Sequence, residues 1–346
     1  MSEKRPTLDD VARLVGVSGK TVARVINGEP GVGEAMRARV MAVVEQIGYQ
    51  ANVSARALAS SRTFRIGILS SAITRFFMTQ IYRGVSDVCL ARGYQMVLRE
   101  LEGNTPEELV DLERQLRANP LDGLFVAAPL SDNHALLDML DRLKIRYVRH
   151  SPIDDVDRSD AVFADDVAGA SALARHLWDL GHRRFGILRG PHFHLAGRLR
   201  HDAFRDQLLA LGADPAEINA VMWERPQDQD TAGFAETARL LAHPSRPTAI
   251  SAFNDELAAG ALAQGHQMGL SLPRDLAVVG YGNAEFARLT WPPLTTVRQP
   301  NREMAICAVE WLTSAPVAAV RQQAFPIELV YRASCGRLLG NRPISG

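Results

Sequence analysis

The chain has 346 residues, 39 basic and 39 acidic side chains and 47% hydrophobic residues, so disorder is excluded and two or three domains are expected. No run approaches 18 uninterrupted apolar residues, and Met1-Ser2-Glu3-Lys4-Arg5-Pro6 holds no apolar signal core, which argues against a membrane span or export and for the cytoplasm. The three cysteines (Cys89, Cys307, Cys335) stand far apart with no CxxC pair, so each reads as a small buried apolar residue rather than part of a disulfide framework or zinc site.

Charge is unevenly spread. Nine basic and six acidic residues give the first 62 residues +3, leaving −3 for the rest. In that stretch Thr7-Leu8-Asp9-Asp10 is a capping-box pattern with Asp in place of Glu, and Leu8, Val11, Ala12 and Val15 repeat at helical spacing up to Gly16. Ser18 can cap a second short helix, Gly19 to Ile26, with Val22, Val25 and Ile26 on its apolar face and Asn27-Gly28 as its stop. A third helix, about Glu34 to Ile47, brings Val40, Val43, Val44 and Ile47 to the same core. Two short helices joined by a tight turn and closed by a third make a helix-turn-helix headpiece. Its second helix would enter a DNA major groove, with Gly19, Lys20 and Arg24 toward base edges and Thr21 and the helix N-terminus at phosphate.

The residue pattern is also specific. Leu8-Asp9-Asp10-Val11-Ala12-Arg13-Leu14-Val15-Gly16-Val17-Ser18, then Thr21 through Gly28, then Ile47-Gly48-Tyr49-Gln50-Ala51-Asn52 and Ala55-Arg56-Ala57-Leu58, resembles the lactose/galactose repressor (LacI/GalR) family. The resemblance implies DNA contacts from Thr7, Ser18, Gly19, Lys20, Thr21, Arg24 and Asn27. It also implies a hinge helix with Asn52, Ala55 and Leu58, the leucine wedged into the minor groove. Ala23 replaces the usual serine, and Ala51 the usual proline.

From Arg65 onward short β runs alternate with helical stretches. The runs are Arg65–Leu69, Gln95–Arg99, Leu124–Ala128, Tyr147–Arg149, Ala161–Ala164, Phe185–Leu188, Ala220–Trp223, Ala249–Ala252 and Ala277–Val279. Most are separated by amphipathic patterns such as Ala168–Leu180 and Glu256–Met268. Such alternation gives parallel sheets covered on both faces, and its length calls for two doubly wound lobes with ligands beyond the strand ends. Leu180-Gly181-His182, Asn254-Asp255 and Pro292 through Pro300 continue the family resemblance, which implies a two-lobed type I periplasmic-binding-protein-like α/β core. The resulting organisation is 1–50 headpiece, 51–63 hinge, 64–335 effector-binding and dimerisation core, and 336–346 a short tail. No heptad run follows Ser334, so a tetramerising coiled coil is not expected.

Catalysis finds no support. Gly280-Tyr281-Gly282 lacks the third glycine of a dinucleotide loop, and there is no P-loop or GxSxG. Asp154-Asp155 and Asp165-Asp166 read as solvated turn residues, and His192-x-His194 as loop or effector-contact chemistry without a third metal ligand, so no cofactor and no metal are expected. By family motif the effector site takes Ser71, Phe76 and Phe77 from the first strand-to-helix loop, Pro129, His150, Ser151, His192, Arg200, Asn254, Gly282 and Gln299. Gly282 and Ser151 stand where sugar-binding members carry acids, while Arg149, His150, His192, His194, Arg198 and Arg200 bring donors or charge. This favours a sugar acid, with a neutral sugar or glycoside as the alternative. The expected protein is a cytoplasmic homodimeric repressor of carbohydrate genes, nucleoid-associated on a pseudo-palindromic operator and released when an effector closes the lobes. The rivals are a solute-binding protein, which would need a secretory signal and no headpiece, and a two-lobed α/β enzyme.

Overall fold

The computed structural model describes residues 6–26, 30–49, 62–71, 75–101, 105–223 and 229–336, with side chains from 77 and 231 in the segments that open at 75 and 229. The chain divides after Phe64 into two compact units, each described by itself. In the first, helix α1 (Leu8–Val15), α2 (Gly19–Ile26) and α3 (Glu34–Gln46) enclose Val11, Ala12, Val15, Val22, Val25 and Val40. The capping box forms as expected: Thr7 Oγ1 accepts from Asp10 N at 3.3 Å, and Asp10 Oδ2 accepts from Thr7 N at 2.9 Å. Gly16 ends α1 with φ of 75°, in the left-handed region that favours glycine. From α3, Arg37 donates to the Val25 carbonyl and Arg39 to that of Val15, satisfying carbonyls at the ends of α2 and α1.

The second unit alternates strand and helix. It runs β1 (Arg65–Ser71), α4 (Arg75–Arg92), β2 (Gln95–Leu101), α5 (Pro106–Ala118), β3 (Gly123–Val126), α6 (His134–Arg142), β4 (Tyr147–His150) and β5 (Ala161–Ala164). Then come α7 (Asp166–Asp179), β6 (Phe185–Arg189), α8 (Leu195–Ala210), β7 (Ile218–Met222), α9 (Gln229–Leu241), β8 (Ala249–Ala252), α10 (Asp255–Gln267) and β9 (Ala277–Val279). It closes with β10 (Thr296–Arg298), α11 (Asn301–Thr313), β11 (Gln322–Phe325) and β12 (Glu328–Val330).

Two parallel sheets result, in strand order β11-β5-β4-β3-β1-β2 and β7-β6-β8-β9, with β10 and β12 paired antiparallel beside the second. Each sheet is the heart of one lobe. Strands β1 and β3 are almost wholly buried, as a sheet covered on both faces requires. Leu69, Leu112, Leu124, Val126, Leu136 and Leu140 form one core, while Phe185, Ile187, Phe204, Leu208 and Val279 belong to another. Each such side chain contributes about 1.5–3 kcal/mol of burial. The chain passes between lobes three times: between β5 and α7, between β10 and α11, and between β11 and β12.

Some expectations need correction. Strand β3 stops at Val126, because Ala127 and Ala128 lead into a turn at Pro129, and β7 begins two residues and ends one residue earlier than its apolar run implied. Helices α6 and α11 and strands β10 to β12 gave no separate sequence signal. Cys89 and Cys335 are buried as expected, whereas Cys307 is only partly so. No helix among the described residues is long and apolar enough to cross a membrane.

Candidate nucleic-acid interface and effector cavity

Helix α2 buries Val22 and Val25 and leaves Lys20 and Arg24, one turn apart, exposed along its other side. Ser18 caps it: its Oγ accepts from Thr21 N at 3.2 Å and lies 3.0 Å from Thr21 Oγ1. Thr7 and Ser18 are thus engaged in holding helix starts. Gly19, at the start of the helix, is half-buried. A Cβ there would come within 3.0 Å of Leu8 Cδ2, so glycine permits the close approach of α1 and α2. Asn27, Asn52, Ala55 and Leu58 lie outside the described residues.

In the core a cavity of about 420 Å³ opens between the lobes, a volume typical of small-molecule sites. Lobe 1 contributes Phe77, Thr79 and Gln80 from α4, His150 and Ser151 from the end of β4, and Asn301 at the start of α11. From lobe 2 come Asp166, His194, Arg200, Phe253, Asn254, Asp255, Tyr281 and Gly282, and Gln299 lies at the crossing. These residues cluster because doubly wound sheets leave a crevice beyond the strand ends.

Its polar network centres on Asp166, which is 3% exposed. One carboxylate oxygen accepts from Tyr281 Oη at 2.8 Å and from Gln299 Nε2 at 2.9 Å, and the other lies 4.0 Å from Arg200 Nε. Burial pushes this carboxyl above the ordinary carboxylate range, while Arg200 and the two donors pull it back. Both of its side-chain hydrogen-bond partners, Tyr281 and Gln299, donate, which suits an ionised carboxylate. Arg200 also donates to the carbonyls of Ala196 and Phe253 and lies over the rings of Phe253 and Tyr281. Asp255 accepts from Thr296 Oγ1 and Ala284 N, both at 2.6 Å, and burial raises it to about 6.

The two cavity histidines are neutral. His194 Nδ1 accepts from Gly197 N at 3.2 Å, capping α8, and burial with Arg200 nearby lowers it to about 3. His150 Nε2 lies 3.1 Å from Asn301 Oδ1, and burial lowers it to about 4.

This architecture has counterparts. A family model described as bacterial regulatory proteins, lacI family, matches residues 7–52, and a periplasmic binding protein-like domain matches residues 174–335. The ribose operon repressor of Escherichia coli (strain K12) is 32% identical over 327 residues, spanning 93% of this chain and 97% of that protein. The chain belongs to the lacI family of bacterial regulatory proteins.

A PurR transcriptional repressor of Vibrio cholerae is 34% identical over 309 residues, 88% of this chain and 90% of its own length. The crystal structure of the Lac repressor dimer bound to operator and the anti-inducer ONPF superposes with a TM-score of 0.78 at 27% identity, covering 96% of this chain and 99% of that one. A CelR–cellobiose complex gives 0.70 at 28% identity, covering 95% and 100%. The chain is accordingly a DNA-binding transcription regulator and not an enzyme.

In this lacI-family regulator the cavity gathers Phe77, His150, Ser151, Arg200, Asn254, Gly282 and Gln299 of the expected effector residues. Asn254 has two tasks, since its Oδ1 also caps α10 by accepting from Leu257 N at 2.9 Å. Ser71 and Pro129 are buried without lining it, His192 is exposed outside it, and the Phe76 side chain lies outside the described residues.

The charge argument also changes. Arg149 is fully buried and donates to the carbonyls of Ser131, Asp154 and Asp155, so it braces a loop instead of facing the cavity. Arg198 is exposed outside it. Asp154 and Asp155 are solvated as expected, but Asp166 is not, and with Asp255 it restores the carboxylates that Ser151 and Gly282 had implied were lost. His194 lines the cavity, in keeping with its expected place among the donors near the strand ends, whereas sequence reasoning missed Tyr281 and Asn301 as lining residues. The usable signal was position, since Tyr281 follows a strand and Asn301 begins a helix at the cleft end. Among the described residues no cluster of three or more His, Cys, Asp or Glu could hold a metal ion.

Proposed function

We propose that this regulator is a cytoplasmic, homodimeric repressor of carbohydrate uptake or catabolism genes, controlled by a small uncharged sugar bound between the lobes of its core. Lys20 and Arg24 read the operator and Thr21 meets its phosphate, with Asn27 and the hinge residues Asn52, Ala55 and Leu58 assigned by family motif. The exposure of Lys20 and Arg24 on one side of α2 supports the first assignment. Two headpieces then meet a pseudo-palindromic site.

Dimerisation is supported by the free edge of the first sheet. Met96 and Leu98 stand two residues apart on β2, hence on one face, at 40% and 47% exposure, and Leu90 on α4 is 79% exposed. An exposed apolar edge strand calls for a partner. The Lac repressor, related in fold, is a dimer on its operator.

For the effector, the observation that carries most weight is the Arg200–Asp166 pair. Arg200 is the one cationic side chain lining the cavity among the described residues, and a buried carboxylate already faces it. With both histidines neutral, the cavity offers hydroxyl-matching donors and acceptors between Phe77, Phe253 and Tyr281 rather than net positive charge. The ribose and cellobiose named with relatives are neutral sugars. A sugar acid is the second reading, favoured by Arg200 itself. Calorimetry of the full chain against matched pairs such as D-ribose and D-ribonate, or D-glucose and D-gluconate, separates the two. Tight binding of an acid with no binding of its neutral partner would reject the first reading.

A further inference from the structure

Where the cavity reaches solvent, the two lobes face each other through elements of opposite charge. On lobe 1, Thr79 and Gln80 line the cavity, and Arg83 follows about one turn later on α4. On lobe 2, a short 3₁₀ helix, Glu285–Arg288, brings Glu285 and Phe286 to the lining, with Leu289 just beyond it. Arg83 Nη1 donates to Glu285 Oε1 at 2.5 Å, so an ion pair joins residues 202 positions apart that belong to different lobes. Neither residue lies on a segment that crosses between the lobes. The two side chains are 54% and 57% exposed.

Both partners stand on fixed backbone. Beside Arg83, a Cβ on Gly84 would collide with the Arg302 carbonyl, so α4 lies directly against α11. Asp87, the one acid on α4, is held by Arg302 at 2.6 Å and does not compete for Arg83. On the other side, Ala284 N donates to Asp255 Oδ2 at 2.6 Å, and Arg332 Nη2 donates to Asn283 Oδ1 at 2.7 Å, which pins the chain just before Glu285. An exposed ion pair between two loose side chains is worth little, because ordering both costs entropy and solvent screens the charges. Here each charge is carried by an element fixed within its own lobe, so movement of one lobe against the other is what chiefly alters their separation.

We propose that Arg83 and Glu285 form an electrostatic clasp that biases the lobes toward the closed arrangement over the cavity and so raises the affinity for the effector. The lining comes from both lobes, so the closed arrangement is the one that binds, and apparent affinity scales with the fraction of molecules already closed. An exposed pair shifts such an equilibrium by up to about fivefold, and exchanging attraction for repulsion shifts it further. Because the pair is open to solvent, salt weakens it. An effector without charge should therefore bind less tightly at high salt, although it has no charge of its own to screen.

The functional readout rests on the reading of the cavity as a sugar site, and the test keeps the two apart. Full-length wild type, Arg83→Glu, Glu285→Arg and the exchanged pair Arg83→Glu/Glu285→Arg are titrated calorimetrically with D-ribose, D-xylose, D-glucose and D-galactose, at about 0.05 and about 0.5 M salt. For a sugar that binds wild type, each single reversal is expected to weaken binding about tenfold at low salt, with the exchanged pair within about threefold of wild type. Wild type should lose about threefold at high salt, and Arg83→Gln/Glu285→Gln should show no such loss. Amide hydrogen exchange without any sugar gives the second readout. Arg83→Glu, a change on lobe 1, should speed exchange across residues 284–289 of lobe 2 about fivefold, and the exchanged pair should restore it.

If a sugar binds wild type but the exchanged pair is as weak as the single reversals, the residues act separately and the clasp is wrong, while the sugar reading stands. Binding that no variant alters has the same meaning. If no sugar binds wild type, the sugar reading falls and exchange alone decides the clasp: an unchanged rate across 284–289 in Arg83→Glu overturns it.

Discussion

His150 and His194 are 1% and 4% exposed and sit in the core with pKa values of about 4 and about 3, against an ordinary 6.5. Both are depressed in the fold, so the unfolded chain binds more protons below pH 6.5. The stability these groups allow is complete above 6.5 and is lost as pH falls towards their folded values. At pH 5 each costs about 2 kcal/mol, or about 4 kcal/mol together. Asp255 acts in the opposite sense. Raised to about 6, it takes up a proton more readily in the fold and returns about 1 kcal/mol over the same interval. From these three groups the loss is about 3 kcal/mol, a large share of the ~5–15 kcal/mol that stabilises a typical domain. His182 and His201, lowered by burial, add to it, while Asp166 and Asp132, raised by burial, offset it. Urea unfolding between pH 7.5 and 5 measures it, and tryptophan fluorescence reports the core alone, because Trp178, Trp223, Trp291 and Trp311 all follow Phe64. His194→Asn is the decisive variant. Asparagine can cap α8 as the histidine does, without titrating. The variant should lose about 2 kcal/mol less than wild type between pH 7.5 and 5. An unchanged acid slope in His194→Asn would refute the reasoning from burial.

Three further outcomes are expected. Lys20→Ala should weaken binding to a selected operator about 5- to 150-fold, as loss of one good base contact does, and weaken bulk-DNA binding much less, as read by fluorescence anisotropy at fixed salt. An equal loss on both would make Lys20 a phosphate contact. Asp166→Asn leaves Arg200 without its carboxylate, so calorimetry should find aldonates gaining about tenfold over their neutral sugars; no gain would mean that Asp166 does not set the charge of the cavity. Gly282→Asp places a side chain at φ of 123° and 3.8 Å from Asp255 Oδ2, so it should destabilise the core by about 1–3 kcal/mol in urea, with Gly282→Ala showing the strain without the charge. Equal stability of wild type and Gly282→Asp would remove the account of why glycine occupies this position.

Much of the fold was legible because its determinants are local. The capping box at Thr7, the stop at Gly16 and apolar residues three and four apart fix α1 within ten residues, whatever the rest of the chain does. The buried strands β1, β6, β8 and β9 announce themselves as short apolar runs for the same reason. The late strands β11 and β12 did not, since they carry mostly exposed, mixed side chains.

The sequence alone determined that a helix-turn-helix headpiece precedes a doubly wound core, and motif position brought Arg200, Asn254 and Gln299 to one cavity. Only the tertiary structure decided where the charges go. Arg149 lies near the end of β4, Asp166 opens α7 two residues after β5, and nothing local tells which of them faces the cavity. Arg149 turns to carbonyls five and six residues on, whereas Asp166 meets Tyr281, 115 residues away, and Gln299, 133 away. The character of the cleft depends on which buried polar groups find partners, and those partners are chosen by packing between distant segments rather than by neighbours in the chain.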